Sequence, residues 1–265
     1  MTAIAVTIAG SDSGGGAGIQ ADLKTFSALG VYGASVVTAL TAQNTLGVQA
    51  IHDVPAAFVA AQMDSVFSDL AVGAVKIGML SQAAVIAAVA EGLDRHGIRQ
   101  VVLDPVMVAT SGDRLLAPDA VEALRRHLIP RARVVTPNLP EAAALTERPI
   151  ATSEAEVKAQ ADAIRALGAA AVLVKGGHGE GPESTDLLLT DSGFHALRAP
   201  RLPGRNTHGT GCTLSSAIAA GLAKGLPLLQ AVEDAKIYVT DAIAAADKLS
   251  IGRGHGPVHH FHRWW

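Results

Sequence analysis

The chain has 265 residues, of which 49% are hydrophobic, 17% charged and only 3% aromatic, with a formal net charge of -3. That composition supplies a large aliphatic core and leaves no basic footprint, so nucleic acid is excluded as an expected partner on electrostatic grounds. The single cysteine, Cys212, excludes an intramolecular disulfide framework and a cysteine-only metal site, and it suits a reducing compartment.

The start, Met1-Thr2-Ala3-Ile4-Ala5-Val6, lacks the charged region and cleavage site of a signal peptide. The Ala-rich stretches are interrupted by Gly, Asp, Lys or Pro before they reach the roughly 18 apolar residues needed to cross a bilayer. A soluble, cytoplasmic protein with no membrane partner is expected.

Short apolar runs recur at residues 4–8, 74–77, 101–103, 133–135 and 171–174, each ending in small or polar residues. Runs without polar alternation suit strands buried on both faces. Helical stripes lie between them: Ile19, Leu23, Phe26 and Leu29 up to Gly30, and Val59, Met63, Val66 and Leu70 behind Asp53 and Pro55. A third stripe, Val85, Val89 and Leu93, follows Ser81 as a candidate cap and stops before Gly97. Residues 31–53 and 185–199 read as richer in strand, with Asp191-Ser192-Gly193 as a hairpin turn. With no linker and no internal repeat, the pattern predicts one α/β domain over residues 1–265. Its architecture is a three-layer αβα sandwich with a mainly parallel central sheet and helices on both faces.

In such a sheet, ligands gather beyond the carboxyl ends of the strands. The glycine-rich stretch at residues 11–22 follows the first strand but has neither a P-loop ending nor dinucleotide-fingerprint spacing. It serves equally as a close ligand approach or as a tight turn. Asp104 ends one strand, where it either caps a turn before Pro105 or helps hold a cation. Asn138 and Glu141 have capping-box spacing at a helix start; Glu141, directly or through water, could also hold Mg²⁺ on nucleotide phosphates, because that hard ion prefers oxygen. Lys175 ends an apolar run before two glycines, placed either to reach phosphate oxygens or to snorkel at a sheet edge.

Residues 206–213, Asn-Thr-His-Gly-Thr-Gly-Cys-Thr, run into an Ala-rich helix. Gly209, Thr210 and Gly211 offer backbone donors to an anion at the helix start. There the macrodipole is expected to draw the Cys212 thiol from about 8.5 toward neutrality, making it a base or nucleophile; the alternative is a small buried hydrophobe. The His-rich tail, ending in Trp264 and Trp265, reads as a partly packed terminus, since no carboxylate or cysteine adjoins its histidines.

Taken together, several motifs strongly resemble the hydroxymethylpyrimidine/phosphomethylpyrimidine kinases of thiamine biosynthesis, members of the ribokinase-like superfamily. They are Ala9-Gly10-Ser11-Asp12-Ser13, Gly16-Ala17-Gly18-Ile19-Gln20-Ala21-Asp22, Lys76-Ile77-Gly78-Met79-Leu80, Leu103-Asp104-Pro105-Val106-Met107, Thr136-Pro137-Asn138-Leu139-Pro140-Glu141-Ala142, Lys175-Gly176-Gly177-His178 and His208-Gly209-Thr210-Gly211-Cys212-Thr213. The likeness extends to Gly254-His255-Gly256-Pro257-Val258 and leaves only the final tail apart.

The resemblance implies ATP and Mg²⁺, with 4-amino-5-hydroxymethyl-2-methylpyrimidine phosphorylated to its monophosphate and then, at the same site, to the diphosphate. Cys212 stands where many superfamily members carry aspartate as the base for the acceptor hydroxyl. Substrate contacts fall on Gln43, Gly10, Met79 and Val106, with Asp22 also facing the pocket. Nucleotide contacts fall on Lys175, Asn138 and Thr210, and metal contacts on Asp104 and Glu141. A Gln43 amide offers a donor and an acceptor side by side, as a 4-aminopyrimidine edge requires. The family usually forms homodimers, and no fusion to a thiamine phosphate synthase is expected. A pyridoxine or pyridoxal kinase is the rival enzyme, and a non-catalytic pyrimidine sensor of the same fold is the rival from another class.

Overall fold

The computed structural model describes residues 1–107, 116, 118–177 and 181–265. Its strands are β1 (Ile4–Asp12), β2 (Tyr32–Asn44), β3 (Gly47–Asp53), β4 (Ala74–Ile77), β5 (Val101–Leu103), β6 (Val134–Val135), β7 (Val172–Val174), β8 (Glu183–Thr190) and β9 (Gly193–Pro200). They form one sheet in the order β3-β2-β1-β4-β5-β6-β7-β8-β9. The six strands from β2 to β7 are parallel, and antiparallel strands close both edges. The strand-rich stretch at residues 31–53 becomes the β2–β3 hairpin. The turn at Asp191 and Ser192 joins β8 to β9 with Thr190 opposite Gly193.

The helices are α1 (Gly18–Ala28), α2 (Ala56–Phe67), α3 (Ala83–Arg95), α4 (Pro118–Ala123), α5 (Leu139–Thr146), α6 (Glu154–Ala166), α7 (Thr210–Ala223) and α8 (Leu228–Ala244). Period-2 alternation divides their partners. Val6, Ile8, Val75, Ile77, Val101 and Leu103 pack toward α2 and α3 and the helices beyond. Ala5, Ala74 and Val102 pack toward α1, α7 and α8. Each fully buried Val, Leu or Ile side chain in these two layers contributes roughly 1.5–3 kcal/mol, and an Ala methyl about 0.8 kcal/mol. The three-layer architecture is therefore present.

Local differences have physical causes. Ser81 does not cap α3: the N-cap is Gln82, whose side chain makes no bond to the helix start, and the Ser81 hydroxyl and the Gln82 amide both donate instead to Asp53. Leu70 lies beyond α2, which buries Val59 and Met63. Two helices start with complete capping boxes, Asn138 with Glu141 and Ser153 with Glu156. No helix among the described residues is long and apolar enough to cross a membrane.

Candidate active site

The parallel strands end on one side in a ring of loops, and the site is assembled from them. The loop after β1 is wound around a carboxylate. Asp12 accepts from the backbone N–H groups of Gly14 (2.8 Å), Gly16 (3.1 Å) and Ala17 (2.8 Å) and contacts His208 Nε2 at 2.9 Å. The glycines thus serve a tight turn, and these three donors are occupied by the protein itself rather than open to a phosphate. Burial pushes the Asp12 carboxyl up, but His208, Ala17 and Gly14 hold it below the usual range.

Asp104 leaves β5 fully buried. Its Oδ1 takes bonds from Lys175 Nζ at 2.7 Å and Thr136 Oγ1 at 3.1 Å, and its Oδ2 takes one from Ser215 Oγ on α7 at 3.2 Å. Burial opposes ionisation here, yet Lys175 and then Lys76 keep the carboxyl below its ordinary value. Lys175, in turn, is raised to about 12, because Asp104 and Glu141 outweigh its burial. Its Nζ lies 3.8 Å from Glu141 Oε2.

Glu141 closes the capping box: Asn138 Oδ1 accepts from its backbone N–H and Glu141 Oε2 accepts from that of Asn138, both at 2.8 Å. Capping and site position coincide, so the two readings of this pair are compatible. Burial pushes the Glu141 carboxyl up to about 7; Asp104 adds to the shift, while Lys175 opposes it.

The turn before α7 meets this group directly. Gly209, at φ 79°, is the N-cap, and a Cβ there would run into the carbonyl oxygen of Gly16. A Cβ on Gly211 would stand 3.2 Å from Lys175 Nζ, a tight contact, and 3.7 Å from Asp104 Oδ2, so the glycine backbone runs close beside the ions. The N–H groups of Thr210, Gly211 and Cys212 belong to the first helical turn, where no intrahelical partner exists; that of Thr210 bonds the Thr207 carbonyl at 3.2 Å.

Cys212 departs from expectation. Rather than falling toward neutrality, its thiol is pushed up to about 11 by burial, with Asp22 and Asp104 adding to the rise. Lys76 and the Gly18 N–H act in the opposite sense and are outweighed. With its thiol raised, Cys212 rests as the protonated thiol rather than the thiolate at neutral pH.

Asp22 is a second correction. It is fully buried, with both oxygens taken by Lys76, Thr7 and Ser216, so it braces the interior rather than facing a pocket. The remaining expected contacts do lie on the loop ring. Met79 sits on Gly10, where a Cβ would stand 2.6 Å from its methyl carbon. Gln43 ends β2 half-buried, its Oε1 accepting from Thr41 Oγ1 at 3.1 Å and its backbone paired with Ser13. Val106 bonds back to the Asp104 carbonyl at 2.8 Å. His178 lies outside the described residues.

A sequence model described as phosphomethylpyrimidine kinase matches residues 12–259. The chain belongs to that family. A hydroxymethylpyrimidine/phosphomethylpyrimidine kinase from Rhizobium meliloti is 68% identical over 100% of this chain and 99% of its own. The crystal structure of a phosphomethylpyrimidine kinase from Clostridium difficile matches with a TM-score of 0.80 at 45% identity, covering 91% of this chain and 99% of its own. An ADP complex of Bacillus subtilis pyridoxal kinase reaches a TM-score of 0.91 at 35% identity, with 98% of both chains covered. The fold is ribokinase-like, and the protein is a kinase of thiamine biosynthesis.

Sequence reasoning passed over the polar groups that hold this kinase's site from behind. Lys76, Thr136, Ser215 and Ser216 are all buried and all bonded to Asp22 or Asp104. One signal was available: a lysine inside the buried run Ala74–Ile77 demands a buried counter-charge.

Proposed function

We propose that this site transfers the γ-phosphoryl group of ATP first to the hydroxymethyl oxygen of 4-amino-5-hydroxymethyl-2-methylpyrimidine and then to the resulting monophosphate. One observation carries the reading: the bare backbone of Gly211, in a helix-start turn, lies against the Lys175 ammonium. Backbone donors, a helix N-terminus and a lysine converging on one point favour a multiply charged anion.

In each step the acceptor oxygen bonds to the γ-phosphorus as the bond to the β–γ bridging oxygen breaks, and ADP leaves. Gly209, Thr210 and Gly211 would receive the charge of the transferred group. Lys175 and Thr210 would hold nucleotide phosphates, and Asn138 would keep Glu141 in place through the cap. Because the Cys212 thiol already carries its proton, it would line the acceptor oxygen rather than deprotonate it. The hydroxyl proton then passes to an oxygen of the transferred group, a late event in a loose transition state. Gln43 would read the aminopyrimidine edge, with Gly10, Met79 and Val106 around the ring.

The donor set supports Mg²⁺ at Glu141 more than at Asp104. Glu141 is a buried carboxyl raised to about 7 beside another acid, an environment a divalent cation relieves. Asp104 is fully buried and already takes three hydrogen bonds, so it would act through Lys175 instead. When bound, the ion neutralises phosphate charge. A cytoplasmic homodimer remains the expected form.

The likeness to a pyridoxal kinase over nearly the whole chain supports pyridoxal as a second substrate to be compared. Purified protein incubated with ATP, Mg²⁺ and the aminopyrimidine is expected to yield mono- and then diphosphate by ³¹P NMR, with kcat/KM above that for pyridoxal. A higher value for pyridoxal overturns the substrate, and binding of the pyrimidine without ATP consumption overturns the activity.

A further inference from the structure

Strand β4 is buried along its whole length, yet one of its four residues is a lysine. Alternation sends Val75 and Ile77 toward α2 and α3 and turns Lys76 to the opposite layer. There its Nζ donates to both oxygens of Asp22 on α1 at 2.9 Å, and neither side chain has any exposure. Thr7 Oγ1 from β1 at 2.6 Å and Ser216 Oγ from α7 at 2.7 Å complete the carboxylate's shell.

A pair of apolar side chains would fill the same space with little or no loss of stability. What the ion pair adds is two opposite charges held in fixed places, and its location gives the ammonium a use. A Cβ on Gly78 would stand 2.7 Å from Lys76 Nζ, so the ammonium lies at the carboxyl end of β4, level with the loops of the site. Its bonded acid is on α1, whose first residue is Gly18, directly after the Gly16 and Ala17 backbone that the Gly209 turn abuts. Its acid's other partner, Ser216, is on the helix that Gly209 caps. Lys76 is thus tied, through Asp22, to both helices whose starts meet where Gly209 abuts Gly16.

We propose that Lys76 is a positioning residue for phosphoryl transfer, its ammonium held by Asp22 as a fixed positive charge beneath the turn formed by residues 209–212. This rests on the reading of that turn as the phosphoryl site. Lys175 faces the turn from the front and is available to the nucleotide. Lys76, with no exposure, acts from behind and does not touch the nucleotide. The charged groups around Cys212 are Lys76 from β4, Asp22 from α1, Asp104 after β5 and Lys175 after β7.

The test uses the only cysteine as a local electrometer. The pH dependence of Cys212 alkylation is measured in full-length Lys76→Met and Asp22→Asn proteins, together with kcat and the KM for ATP in the first phosphorylation. A merely structural pair leaves kcat within about twofold of the starting protein once the variant folds. A positioning charge whose field reaches the turn predicts thiol shifts of about one unit or more, to alkaline pH for Lys76→Met and to acid pH for Asp22→Asn. It also predicts a kcat loss of about tenfold or more in Lys76→Met, with the ATP KM within about threefold.

Shifts in the same direction, or a Lys76→Met kcat within about twofold of the starting protein, overturn the proposal. Should a single variant fail to fold, Lys76→Met combined with Asp22→Leu leaves no buried charge. That protein is expected to keep the tenfold loss of kcat, and recovery of full kcat in it overturns the proposal. The thiol arm needs no substrate, so absence of turnover in the unaltered protein identifies failure of the functional reading, and the proposal falls with it.

Discussion

Asp12 and His208 lie 196 residues apart in the chain and 2.9 Å apart in the fold. Their contact joins the turn after β1 to the turn before α7. The tie is reinforced beyond His208, whose backbone N–H donates to the Gly256 carbonyl and whose carbonyl accepts from Val258. Thr45, at the β2–β3 turn, grips the same C-terminal strap: its carbonyl accepts from His255 N–H and its Oγ1 from Arg253 and Gly254 N–H. Residues from both ends of the chain therefore set the spacing of the loop ring.

A double-mutant cycle of Asp12→Ala and His208→Ala measures that tie. Asp12→Ala strands the buried N–H of Gly16, while exposed Gly14 and half-buried Ala17 can turn theirs to water; an orphaned buried donor costs about 1–3 kcal/mol. The single variant is expected to lose about 1–3 kcal/mol in urea unfolding. The two sites should couple by about 1 kcal/mol or more. Additive losses would mean that the two turns are held independently. Asp12 has a depressed carboxyl, so its contribution is present above the pKa of the unfolded side chain and is lost as pH falls through the folded value.

Gly209→Ala is expected to damage stability and turnover together. Its φ of 79° is left-handed, which costs a residue with a Cβ about 1–2 kcal/mol, and that Cβ also meets the Gly16 carbonyl oxygen. Gly204→Ala adds a Cβ into open space and serves as the comparison. Equal thermal midpoints for the two variants would contradict the role given to Gly209.

The architecture was legible because buried parallel strands write themselves as unalternating apolar runs, and the hairpin at Asp191 and Ser192 carries its own turn chemistry. Most of the corrections come from groups distant in sequence. Lys76 finds its counter-charge 54 residues away at Asp22, and Asp104 finds Ser215 111 residues away. For Cys212, the helix start gave the direction of one influence; burial and two nearby carboxylates, invisible in the local motif, reverse the outcome. In the turn after β1, glycine content alone did not reveal that Asp12 already satisfies three of its donors.

Cys212→Ala separates lining from base catalysis. A general base contributes about 10²–10⁴-fold, and only the first phosphorylation requires one, since the second attacks through a phosphate oxygen. With the thiol protonated at neutral pH, the variant is expected to lose less than about tenfold in either step, and by similar factors. Separate single-turnover measurements with the alcohol and the monophosphate check this. A loss confined to the first step and exceeding a hundredfold would restore Cys212 as the base.

Glu141 gives the nucleotide-free protein a defined pH response. Its folded value of about 7 lies above the ordinary 4.5, so the folded state retains a proton that the unfolded chain releases. The stabilisation from that group is present below the unfolded value and disappears as pH rises through about 7. At about 1.4 kcal/mol per unit, the swing is on the order of 3 kcal/mol. Glu141→Gln preserves the capping-box geometry, since glutamine serves that position too, but it cannot ionise. Relative to the unaltered protein, the variant should therefore gain stability between pH 5 and pH 8 by up to about 3 kcal/mol in urea melts. The difference should shrink when Mg²⁺ and ATP are added, because a bound cation restores the charged carboxylate. A pH-independent difference between the two proteins would show that Glu141 ionises in its fold as it does in water.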